Sequence, residues 1–319
     1  MALMARAAVT LPARQPFIWA TWAFALPFLA MLAPGVQARA RELTAAWPAA
    51  ATALPGLLAA VAVLVALASG TVGPERLIAL PVFVALALVL ARPARSPGAV
   101  AGGWRLIGGG LALGLVAGSW DRALKIPVPG NTEIGLAFFL AVGLGLFLYT
   151  AVVPLASMNL RLVLGRRDLG TAAAGFAAVV VLAMPLGFAL DFVVWNPRLD
   201  GAGFALARLL GLIVFVGIPE EMLFRGLFQE GLGRLTTARA GWIIASVIFG
   251  LSHITKRTGL TAAQREEMLF GVTLNWRYAL LATIAGLGYG WVYRKTGRVS
   301  AAAFTHGAVN WVWSGFFGR

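Results

Sequence analysis

Long apolar windows recur along almost the whole chain, and each is bounded by charged residues, proline or glycine. A helix needs about 20 predominantly apolar residues to cross about 30 Å of hydrocarbon, and windows near that length predict about eight to ten spanning helices here. They lie at about residues 17–36, 52–70, 77–91, 104–118, 134–156, 171–194, 206–229, 241–254, 277–293 and 299–316. The pattern therefore predicts an all-α, polytopic transmembrane helix bundle.

The composition agrees with a membrane protein. Of the 319 residues, 60% are hydrophobic and 12% are charged, whereas a soluble domain carries about 25% charged residues. The chain contains no cysteine. This excludes a disulfide, a thiolate zinc site and a cysteine nucleophile.

The net charge is +14, and the basic residues stand singly or in pairs between the apolar windows. This distribution favours anionic lipid headgroups as the counterpart. No nucleic-acid-binding motif accompanies the basic residues, so we expect no nucleic acid partner. The composition is rich in alanine, arginine and glycine and poor in lysine, which is typical of a GC-rich bacterial genome and suggests the bacterial inner membrane.

The polar residues within the apolar windows are concentrated in the second half of the chain. A charged residue at the centre of a spanning helix costs about 2.5–3.5 kcal/mol on insertion scales, so such residues usually mark function or structural pairing. We expect residues 1–160 to form N-terminal transmembrane helices of unassigned role and residues 161–319 to form the functional core. The segment Gly165-Arg166-Arg167-Asp168 is the best candidate boundary.

One acid pair interrupts an apolar window, and a proline stands directly before it. Glu220 and Glu221 are consecutive, so on a helix their side chains point about 100° apart. Glu221 and Arg225 have the i,i+4 spacing that favours an ion pair, which leaves Glu220 as the less neutralised carboxylate and the candidate general base. Pro219 is expected to kink the helix at this point.

Both histidines of the chain lie in late apolar windows. His253 follows Phe249 by one helical turn. His306 precedes Asn310 by the same spacing, so the side chains of His306 and Asn310 can donate to one oxygen. Taken alone, His253 is more typical of a helix cap. His306 with Asn310 is, alone, as typical of hydrogen bonding between helices.

Together these groups predict an active site between the late helices. A carboxylate can activate water, an imidazole can orient it, and further donors can stabilise an oxyanion, which is what hydrolysis of an amide requires.

Three short motifs resemble a known family. They are Glu220-Glu221-x-x-x-Arg225, Phe249-x-x-x-His253 and His306-x-x-x-Asn310. Their order and their setting in late transmembrane windows are similar to the CAAX-protease and bacteriocin-processing (CPBP, or Abi) family, which includes the type II CAAX prenyl endopeptidase. The resemblance covers roughly 165–316, and residues 1–160 resemble nothing that we can name.

The resemblance implies an intramembrane endopeptidase that acts on a membrane-associated or lipid-anchored protein or peptide. It implies Glu220 as the general base with His253 as its partner, His306 with Asn310 as the oxyanion hole, and Glu221 with Arg225 as the pair that holds the site together. Members of the family have been described both as glutamate-type and as metal-dependent peptidases. Because the chain has no HExxH motif, we expect no cofactor. A zinc ion held by Glu220, His253 and His306 is the alternative.

The segment 255–276 is longer and more charged than a simple turn. It contains Arg265-Glu266-Glu267-Met268-Leu269-Phe270, which predicts an amphipathic interfacial helix that gates the site.

Two other functions use the same residues. A proton-coupled transporter would use them as a relay, and inverted repeats would favour it, but the sequence shows no repeat. A non-catalytic immunity or scaffold protein that retains the motifs is the other alternative.

Overall fold

Helices make up nearly all of the regular structure in the computed structural model, which describes residues 15–69, 81–82, 84–86, 88–89, 98–119, 125–128, 131–197, 201–261 and 273–317. The helices are α1 Gln15–Met31, α2 Pro34–Ala46, α3 Ala50–Ser69, α4 Ala99–Ser119, α5 Leu136–Phe147, α6 Arg166–Ala189, α7 Ala202–Leu235, α8 Ala238–Leu251, α9 Trp276–Thr296 and α10 Val299–Phe316. A two-stranded hairpin of β1 Lys125–Val128 and β2 Asn131–Gly135 precedes α5.

The residues group into two compact units. The first consists of residues 1–96, 108–128 and 132–155, and the second of residues 97–107, 129–131 and 156–319.

In the first unit, α5 is the buried helix, and α1 packs against it through aromatic side chains. The rings of Phe28 and Phe139 lie 6.3 Å apart. The helical run Trp19–Met31 meets α2 at a bend of 92°. No residue of α2 is buried, and it carries an exposed ion pair between Arg39 and Glu42.

In the second unit, α6 to α10 form a helix bundle, in which α9 packs against both α6 and α8. Small and apolar residues make the contacts of its core, among them Ala172, Val292 and Ala301. The long helix α7 is continuous, but two of its stretches, Ile213–Gly217 and Met222–Gln229, are wound as π-helix. Pro219 lies between them and supplies no backbone N–H. The wide turns thus accommodate the proline that the sequence predicted would kink the helix.

The helical, polytopic architecture predicted from the sequence is confirmed. Four described helices are long and apolar enough to span a membrane, or five if the bent pair of α1 and α2 is one span. This is fewer than the eight to ten windows. Windows 134–156 and 241–254 form helical runs of only 10–17 residues, at Leu136–Val152 and Ala238–Leu251. The last two windows form α9 and α10, which carry more polar residues, and window 77–91 lies largely outside the described residues.

Two glycines bring α10 into backbone contact with the first π-helical stretch. A Cβ on Gly217 would lie 2.6 Å from the carbonyl oxygen of Ala303, and a Cβ on Gly307 would lie 2.9 Å from the backbone nitrogen of Ile213. Because the backbone cannot yield as a side chain end can, only glycine permits this approach. It places His306 of α10 beside the acid pair of α7.

We expect Gly217→Ala to lower the free energy of unfolding by about 1–3 kcal/mol, because the added methyl group meets a backbone oxygen in a packed interior. Thermal unfolding of the purified protein in detergent measures this loss of stability. The matched control is Gly203→Ala in the same helix, where a Cβ would meet no atom within 4 Å. That variant should be neutral or slightly more stable, and equal melting temperatures for the two variants would contradict the close approach.

Candidate active site

The candidate residues lie on three elements of the second unit and surround one cavity of about 410 Å³. Helix α7 contributes Glu220, the turn after α8 contributes His253, and α10 contributes His306 and Asn310. The remaining two candidates, Glu221 and Arg225, do not line the cavity but lie buried behind it. All six candidates are thus in one region of the molecule.

Glu221 and Arg225 form the ion pair that their spacing predicts. The Arg225 Nε donates to Glu221 Oε2 at 2.7 Å, and both side chains are fully buried. The guanidinium also donates to Ser246 Oγ at 3.5 Å and lies 5.5 Å from the ring centre of Phe249. A buried charge needs such a set of partners, because burial removes its hydration.

His306 lies between the two glutamates. Its Nδ1 is 2.9 Å from Glu221 Oε1, and its Nε2 is 4.0 Å from Glu220 Oε2. The ring is stacked on Tyr289, with centres 4.5 Å apart, and Phe249 meets it edge-on at 5.7 Å. These contacts fix the plane of the imidazole.

The partner of Nδ1 determines what Nε2 can do. Glu221 also accepts from Arg225, so its carboxylate is ionised and His306 donates from Nδ1 to it. In the neutral ring, Nε2 then carries a lone pair and accepts. Donation from Nε2 to an oxyanion, as the sequence comparison implied, therefore requires the doubly protonated imidazole.

Glu220 has fewer partners than Glu221. Its side chain is 26% exposed, and its Oε2 is buried without a hydrogen bond from any described residue. The distance of 4.0 Å from Glu220 Oε2 to His306 Nε2 is too long for a direct hydrogen bond. Glu220 therefore presents a carboxylate oxygen whose lone pairs are available to a water or a substrate group.

His253 lies two residues beyond the end of α8 and is 6% exposed. Its Nδ1 is 2.8 Å from the carbonyl oxygen of Phe249. A carbonyl only accepts, so Nδ1 carries the proton and Nε2 of the neutral ring has the lone pair. The ring is held between Phe249 and Tyr278, each with its centre 4.8 Å away.

The sequence-based reasoning assigned no role in the site to the two tyrosines of α9. Tyr278 contacts one histidine and Tyr289 the other, and both line the cavity. They are eleven residues apart, which is about three turns, so they lie on one face of the helix. This spacing is the feature of the sequence that could have indicated the two tyrosines.

The geometry also bears on the zinc alternative. Among the described residues, no three His, Asp or Glu side chains converge closely enough to hold a metal ion. The set of Glu220, His253 and His306 therefore does not fit a zinc site in this arrangement, and no step proposed below uses one.

Of the sequence predictions, the gating helix with Arg265-Glu266-Glu267-Met268-Leu269-Phe270 lies outside the described residues.

Residues 202–312 match the model of a family described as Type II CAAX prenyl endopeptidase Rce1-like. The match spans α7 to most of α10 and includes all six candidate residues. The resemblance inferred from the three motifs is confirmed over this segment. Comparison with curated proteins and with solved structures finds no match for the chain.

Proposed function

We propose, starting from the Rce1-like match of residues 202–312, that this protein is an intramembrane endopeptidase with its catalytic core in residues 161–319. In this proposal, residues 1–160 form N-terminal transmembrane helices to which no role is assigned. The observation that carries the proposal is that Glu220, His253, His306 and Asn310 line one cavity, with a buried ion pair behind His306.

In the proposed reaction, Glu220 accepts a proton from a water molecule as the water oxygen attacks the carbonyl carbon of the scissile peptide bond. Nε2 of His253, which bears a lone pair in the neutral ring, accepts a hydrogen bond from the same water and orients it. The carbonyl oxygen becomes an oxyanion. It receives hydrogen bonds from the side-chain amide of Asn310 and from Nε2 of doubly protonated His306.

The tetrahedral intermediate then collapses. The carbon–nitrogen bond breaks, and the protonated Glu220 returns its proton to the leaving amine, so that a carboxylic acid and an amine are formed. Glu221 stabilises the charge on His306 in the way that a buried carboxylate supports an imidazole in other hydrolases. Arg225 keeps Glu221 ionised and in place.

The cavity wall favours an apolar substrate segment. Beside the polar groups, it is lined by apolar side chains that include Val179, Met184, Phe192, Val216 and Trp313. Such a wall accepts the side chains of a membrane-associated or lipid-anchored protein or peptide. The proposed location is the bacterial inner membrane, where the basic residues between the helices face anionic lipid headgroups.

The test is a search for new N-termini. Purified protein is reconstituted with membranes from a strain that lacks it, and peptides with newly formed N-termini are identified by mass spectrometry. We expect wild-type protein to generate a set of cleavage products that the Glu220→Gln variant does not. If both proteins generate the same products, or if neither generates any, the proposed peptidase is wrong.

A further inference from the structure

A buried asparagine joins the turn that carries His253 to the beginning of α9. Asn275 is 1% exposed and stands directly before the helix. Its side-chain Nδ2 donates to the carbonyl oxygens of Lys256 and Thr258, both at 2.8 Å. Its Oδ1 accepts from the backbone N–H of Tyr278 at 3.0 Å. Both amide hydrogens and the amide oxygen are therefore used.

The backbone of the same residue adds a third bond to the turn. The N–H of Asn275 donates to the carbonyl oxygen of Ile254 at 2.6 Å. Alternate carbonyls of the turn, at Ile254, Lys256 and Thr258, thus all accept from this one residue. An amide is suited to the position because it combines two donors with one acceptor.

His253 depends on this turn for its position. Helix α8 ends at Leu251, so His253 lies outside the regular helix, and its carbonyl oxygen accepts from the N–H of Lys256 at 3.0 Å. The turn is held against α9 by Asn275, not by a continuous helix. A shift of the turn would move the imidazole with respect to Glu220.

Asn275 also acts on His253 through Tyr278, whose backbone N–H it binds. The N-cap bond to Asn275 fixes where α9 begins, and Tyr278 is in its first turn. The ring of Tyr278 packs against both His253 and Phe192, with ring centres 4.8 Å and 5.3 Å away. The same asparagine therefore fixes the backbone under the imidazole and the ring beside it.

We propose that Asn275 is a positioning residue for His253, and that it sets the orientation of this imidazole in the cavity. The proposal rests on the proposed function for its kinetic consequence. The geometric part, the placement of His253, is independent of any activity.

The chain allows a direct spectroscopic test because it has only two histidines. Protein labelled with ¹³C at the Cε1 atom of its histidine rings gives one signal from His253 and one from His306, and the His306→Gln variant assigns them. The test variant is Asn275→Asp, which keeps the acceptor for Tyr278 N–H but cannot donate to the two carbonyls. We expect the His253 signal to move and the His306 signal to stay.

The kinetic arm uses a cleaved peptide found with the wild-type protein. Misplacement of a catalytic group by about 1 Å can cost roughly 10²-fold in rate, so we expect Asn275→Asp to lower kcat by about 10-fold to 100-fold with little change in KM. The control is Thr237→Ala. Thr237 also caps a helix, accepting from the N–H of Ala240 at 3.1 Å, but it is exposed and at the opposite end of α8 from His253.

The outcomes separate the two proposals. An unmoved His253 signal in folded Asn275→Asp protein, or an equal kinetic loss in Thr237→Ala, overturns the positioning role. If Asn275→Asp does not fold, Asn275→Ser, which also keeps a cap acceptor, takes its place in both arms. A moved His253 signal without any peptide cleavage by the wild type supports the positioning role and overturns only the proposed function.

Discussion

Replacing Glu220 by glutamine is expected to lower kcat about 10²-fold to 10⁴-fold, the range that loss of a positioned general base produces. Glutamine has nearly the same size and cannot accept the proton of an attacking water. Among the described residues, none forms a hydrogen bond with Glu220 Oε2, and the ionic contact that the structure gives it, with His306 Nε2, is 4.0 Å long. The melting temperature should therefore change little, and the loss should lie in kcat, not in KM.

The matched control for this variant is Glu230→Gln in the same helix. Glu230 forms an exposed ion pair with Arg234 at 3.0 Å, and such surface pairs contribute about 0–1 kcal/mol. Steady-state kinetics with one peptide substrate compare the two variants. The assignment of the base is wrong if Glu220→Gln retains the wild-type kcat, or if Glu230→Gln loses as much.

The second large effect concerns stability. The Glu221→Leu variant leaves the fully buried Arg225 without its carboxylate, and breaking a buried pair from one side costs about 3–5 kcal/mol. Replacing both partners by apolar residues of similar volume is often neutral. We therefore expect the double variant Glu221→Leu, Arg225→Met to recover most of the melting temperature that the single variant loses.

Activity should not recover with stability. In the double variant, His306 no longer has the Glu221 oxygen that accepts from its Nδ1 at 2.9 Å, so neither its orientation nor its charge is supported. Thermal unfolding and peptide cleavage, measured on the same preparations, test the two statements separately. A double variant that is both stable and fully active would show that Glu221 serves the fold alone.

Part of this site follows from sequence spacing. Positions four apart on a helix are neighbours, and this rule predicted the pair of Glu221 with Arg225 and the common placement of His306 with Asn310. It works because both relations are local to one helix. The helical architecture was predictable for a similar reason, since long apolar windows have few other solutions in a membrane.

The rest depends on contacts between distant segments. The bond from His306 to Glu221 joins residues 85 positions apart, and its register is set by the glycine contacts of α10 with α7. The role of Asn275 was equally hidden, because it depends on the path of a turn that no periodicity describes. Fewer of the described helices than of the apolar windows qualify as candidate spans, because hydrophobic windows do not distinguish a spanning helix from a shorter or more polar one within the bundle.

The π-helical winding of α7 has a consequence for insertions and deletions. Each residue of an α-helix turns the chain by about 100°, and a π-helical turn takes up an additional residue without ending the helix. Deleting one residue within Ile213–Gly217 could therefore leave a continuous α-helix with its apolar character unchanged. Everything after the deletion would keep nearly its orientation relative to α7 before it, because four α-helical residues turn the chain about as far as the five π-helical residues that they replace. A deletion in the α-helical part Ala202–Leu212 would instead rotate Glu220 by about 100° away from the cavity. The π-helical stretch is thus the part of α7 before the carboxylates in which the chain can lose one residue while Glu220 still faces the cavity.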